Sequence, residues 1–148
     1  MNNNVVLLVH MAATWYMTGL IWLVQVVHYP LMQLVGREGF VAYSVKHQST
    51  TSLVVGPPML IEVLTAVWLL SQDVELRRSG WFLASCGLLI AVWLSTALWQ
   101  MPCHRALLNG FEQSHLRILV QSNWVRTVAW TGRALIVVGL LASRIKAV

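Results

Sequence analysis

Apolar residues along the 148-residue chain gather into four blocks, at positions 5–27, 53–70, 81–101 and 124–141. Each holds about 18 or more mostly apolar residues, enough for an α-helix to cross the hydrocarbon core of a bilayer. The pattern predicts an all-α fold: an integral membrane four-helix bundle forming a single domain over positions 1–148. The first block reads as a retained span, because Met-Asn-Asn-Asn offers no positive n-region and no small-residue cleavage site follows. The connections are unequal, at 28–52, 71–80 and 102–123. Within the first, Phe40, Tyr43 and His47 recur at helical spacing, so positions 37–48 are predicted to form a lip helix running into span two. Gly56-Pro57-Pro58 should interrupt that span, since proline lacks an N–H and clashes with the preceding turn. No internal repeat is apparent, which argues against a transporter whose halves rock on each other.

Polar positions inside the blocks are themselves periodic. His10, Thr14, Thr18, Gln25 and His28 draw one stripe along span one. Thr96, Gln100 and His104 step by four on span three, and Asn123, Arg126, Trp130 and Arg133 by three or four on span four. Such groups are costly against lipid, so the stripes should face one another around a polar interior. Glu62 and Arg133 lie ten and nine residues in from the same face, about 14–15 Å deep by helical rise. At matching depth a carboxylate and a guanidinium are natural partners. His28, His47 and His104 collect nearer the mouth, on the face with the longer connections, whereas His10 lies toward the other.

Composition sharpens the class. The chain is 57% hydrophobic and 10% charged, with a mean hydropathy of +0.67, which excludes a soluble or disordered chain. A net charge of +5 would raise nucleic acid in a soluble protein. In a bilayer it anchors helix ends, so lipid is the expected partner and nucleic acid is not. Trp15, Trp22, Trp81, Trp99 and Trp124 supply an interfacial belt, and the other tryptophans should pack inside. The basic residues at Arg77, Arg78, Arg144 and Lys146 sit in tighter clusters than those opposite, which favours cytoplasmic termini in a bacterial inner membrane. Cys86 and Cys103 are separated by about 25 Å along one helix and cannot bridge.

The site expected from these positions has His28, His104, Arg126, Glu62 and Arg133 as its reactive groups, and Gln25, Gln100, Asn123 and Trp130 as ligand- or cofactor-binding groups. His28, His47 and His104 could hold a transition metal, although no HxxxH, ExxH or CxxC spacing supports one. Without a metal, a histidine would act as base while Arg126 or Arg133 stabilises an oxyanion on an apolar substrate. A third reading is non-catalytic: an accessory or ligand-binding subunit of a larger membrane complex, or a homo-oligomer.

The segment WLSTALWQMPCHRALLNGF followed by NWVRTVAWTGRALI resembles the small four-helix membrane proteins of the anthrone oxygenase-like family of unknown-function domains. The likeness covers about fifty residues and rests on Trp99, Pro102, His104, Trp124 and Arg126. His104 stands where asparagine is common in that family, and the HYP at 28–30 and GPPMLIE at 56–62 are additions. The resemblance implies oxygenation of a hydrophobic polycyclic phenol, with no settled cofactor. The combined expectation is an oxidoreductase or oxygenase-like enzyme acting on a lipophilic small molecule.

Overall fold

The computed structural model describes residues 2–146, and all regular structure among them is helical. Four long helices carry the bundle: α1 (Asn3–Met32), α2 (Arg37–Gln72), α4 (Gly80–Leu107) and α5 (Gln113–Lys146), with the short α3 (Val74–Arg78) between the second and third. All four long helices are apolar enough to cross a membrane. The connections expected to be long are mostly helical extensions. Only 33–36 and 108–112 lie outside helices at that end. The lip helix is not a separate element, because α2 runs unbroken for 36 residues, about 54 Å. It also passes through Pro57 and Pro58, so the predicted interruption does not occur.

Prolines act elsewhere. Val24–His28 of α1 and Thr96–Gln100 of α4 wind as π-helix, immediately before Tyr29-Pro30 and Met101-Pro102. The N–H of Tyr29 bonds to the Val24 carbonyl, and that of Met101 to the Thr96 carbonyl. This wider turn absorbs the register that proline's missing N–H and bulky ring disrupt. In both places it leaves a glutamine, Gln25 or Gln100, buried in the bundle.

These matching bulges lie 72 residues apart in the chain. The α1–α2 and α4–α5 hairpins carry further like residues at an offset of 71 or 72: Pro30 and Pro102, Gly39 and Gly110, and Phe40 and Phe111. Several residues at this offset meet one another. His10 packs edge-on against Phe82, and Phe40 against Phe111. Glu62 pairs with Arg133, and Asp73 with Arg144. At the second helical connection Gly110 takes a φ of +146°, a conformation that a side chain would strain.

The two seams differ. α1 packs along α5, but α2 and α4 approach closely only over the last stretch of α4, Met101–Leu107. At the termini end Arg144 bonds both Asn4 and Asp73, and Asn3 donates to the Gln72 carbonyl. Burial would raise the Asp73 carboxyl, but the Arg144 hydrogen bond, with the N–H groups of Leu76 and Glu75, holds it below the usual aspartate value. Trp15, Trp22, Trp81, Trp99 and Trp124 face outward. Of the tryptophans expected inside, Trp130 is buried and Trp68 half-buried, whereas Trp93 is exposed because it stands at the open seam.

Candidate functional site

Two polar assemblies occupy the interior, one at mid-bundle and one near the long-helix end. In the first, Glu62 is fully buried. Its Oε1 accepts from Thr14 Oγ1 at 2.9 Å and from Arg133, and its Oε2 accepts from Trp130 Nε1 at 3.0 Å. Arg133 Nη2 also lies 3.3 Å from His10 Nε2, while His10 Nδ1 lies 2.7 Å from Thr65 Oγ1. Thr65 spends its own proton on the Ile61 carbonyl at 2.6 Å. One tautomer satisfies this chain: His10 carries its proton on Nδ1 and accepts from Arg133. Arg133 Nε is left without a partner. The stripe spacing placed Thr14 here, but nothing in the sequence tied His10 to Arg133.

In the second assembly, His28 and His47 stack with centroids 4.4 Å apart, and His104 lies 5.6 Å from His47. Tyr43 joins the stack and places its hydroxyl 3.3 Å from His28 Nε2, and His47 Nδ1 lies 3.0 Å from Thr51 Oγ1. The three expected histidines therefore do come together. They do not converge on a point, because imidazole lone pairs lie in the ring plane and the rings of His28 and His47 are stacked face to face. Among the described residues no group of three or more His, Cys, Asp or Glu side chains is disposed to hold a metal ion. His104 Nδ1 is buried with no hydrogen-bond partner.

Between α2 and α4, where the seam is open, lies a cavity of about 480 Å³. His47, Gln48, Gln100, His104 and Arg126 form its polar end, and Met17, Ile21, Val55 and Met59 line the apolar remainder. Exposed Leu60, Trp93 and Met101 border it, so the mouth faces sideways out of the bundle. Gln48 Nε2 donates to the His104 carbonyl at 2.7 Å, closing the seam at its end.

Several expected site residues stand off this wall. His28, Glu62 and Arg133 do not line the cavity. Neither do Gln25, Asn123 and Trp130, which are committed to internal bonds: Asn123 Nδ2 donates to Gln25 Oε1 at 2.7 Å, and Trp130 to Glu62. Gln100 lines the cavity but also donates to Ser122 Oγ at 3.0 Å. Tyr29 and Gln48 are wall residues that the hydropathy pattern did not single out, since neither continues a polar stripe. No protein-family model, no curated protein and no solved structure matches this chain.

Proposed function

We propose that this membrane protein is an oxidoreductase-type enzyme that takes a lipophilic small molecule from the bilayer through the α2/α4 seam and uses His104 as its base. The observation that carries this reading is His104 itself. It lines a cavity open to the side of the bundle, and its Nδ1 is unengaged. A neutral imidazole always offers one ring lone pair for proton abstraction. Removing a proton from an acidic carbon of the substrate leaves an electron-rich enolate that dioxygen can oxidise. Overall, a methylene becomes a carbonyl as one dioxygen is consumed and one water released. The likeness of the second half to the anthrone oxygenase-like family supports the same class of reaction. The polar end of the cavity then orients the substrate while its apolar wall excludes water.

The test is oxygen uptake by the purified protein in nanodiscs, with a panel of lipophilic, enolisable phenols. His104→Ala should lower kcat by about 10²–10⁴-fold with binding largely retained. Turnover unchanged in that variant would overturn the reading. A stoichiometric copurifying protein together with absent turnover would favour the accessory-subunit alternative instead.

A further inference from the structure

We infer that the ligand of this cavity is a lipophilic monoanion whose acidic oxygen pairs with Arg126. The inference rests on the reading that the cavity takes a molecule from the bilayer, and it names that molecule's charge. Within the bundle Glu62 neutralises Arg133. Arg126 is only 8% exposed, takes part in none of the ion pairs among the described residues, and has an Nε without a hydrogen-bond partner. Its guanidinium carbon lies 5.3 Å from the centroid of the Trp130 ring, a cation–π contact that compensates the charge in part. Trp130 is itself held by its N–H bond to Glu62, so the cation rests on a fixed platform.

Among the described residues no carboxylate remains to complete the compensation. Asp73 is bound to Arg144 at the termini end, Glu112 is paired with His115, and Glu38 and Glu75 are exposed. A buried arginine without a counter-ion is expensive in a membrane, and such residues mark ligand pathways. Arg126 lines the same cavity as His104 and Gln100. One buried unpaired cation, neutral polar neighbours and an apolar wall, with Arg105 the exposed and solvated cation of the lining, together fit one negative oxygen on an apolar body. The body would lie toward Met17, Val55 and Met59, and would leave past Leu60 and Trp93.

Binding is measured in nanodiscs of phosphatidylcholine, so that no turnover is needed. The probes are dodecanoate and 9-anthracenecarboxylate, each compared with its methyl ester. The carboxylates should bind about ten- to a hundredfold more tightly than the esters, the range of one charge-assisted contact. Arg126→Gln should abolish that preference and Arg126→Lys should keep part of it, while Arg117→Gln, at an exposed site, should leave it intact. Leu60→Trp, which narrows the mouth without touching the cation, should weaken carboxylates and esters alike. A preference for the aryl or the alkyl carboxylate identifies the body of the ligand, and either supports the inference. Esters binding as tightly as acids, or a preference that survives Arg126→Gln in a variant that melts like wild type, would overturn it and leave the cavity reading standing. Competition by phosphatidylglycerol equal to that by dodecanoate would assign the cation to a lipid headgroup and also overturn it. Absence of all binding in a folded protein would remove both readings.

Discussion

A carboxylate inside hydrocarbon persists only when its lone pairs are taken up, and Glu62 achieves this through Thr14, Trp130 and Arg133. Removing either partner of the ion pair strands a charge, a loss of about 3–5 kcal/mol in a buried setting. Glu62→Gln and Arg133→Met should therefore each lower the melting point sharply. The double variant should cost less than the sum by on the order of 1–3 kcal/mol. Additive losses in detergent melting would show the two side chains to be independent. His10 belongs to the same unit through Arg133 and Thr65. The pairing of Glu62 with Arg133 was legible in the sequence, because helical rise converts residue number into depth. The role of His10 was not, since which side chain meets it depends on how three helices cross.

Along the helices, the decisive local devices are the two π-helical turns before Pro30 and Pro102. A π turn accommodates one extra residue, so everything beyond it is rotated relative to a plain α-helix. His104 follows the second of these turns, and its place on the cavity wall depends on that rotation. Pro102→Ala restores a backbone donor and lets α4 relax toward ordinary α-helix. Helical content by circular dichroism should then be unchanged, while kcat falls about tenfold or more as His104 leaves its place on the wall. Turnover equal to wild type would show that the bulge does not position His104. Pro57 and Pro58 look more disruptive in sequence, yet α2 continues through them. Local propensity marked where helical hydrogen bonds must be lost, whereas the surrounding packing decided whether the helix broke.

Taken together, the bundle is two hairpins joined by ion pairs in which each carboxylate meets the guanidinium 71 residues further on: Glu62 with Arg133, and Asp73 with Arg144. A hairpin paired with its own copy would set carboxylate against carboxylate or guanidinium against guanidinium. Positions 1–76 and 77–148, made as separate chains in one cell, should therefore copurify as a heterodimer. Neither should capture a differently tagged copy of itself. Efficient self-association of either half would contradict the charge pairing as the basis of assembly.

The chain alone settled the class of molecule: four apolar blocks, an all-α bundle, polar stripes turned inward, and one buried ion pair. These follow from hydropathy and from the fixed pitch of a helix, both of which are local. Tertiary structure decided the rest. The cavity exists because α2 and α4 part while α1 and α5 close. That choice moved His28, Gln25 and Asn123 off the wall and put Tyr29, Gln48 and an unpaired Arg126 on it. It is a choice between two seams that hydropathy treats alike, and only the packing of distant side chains separates them.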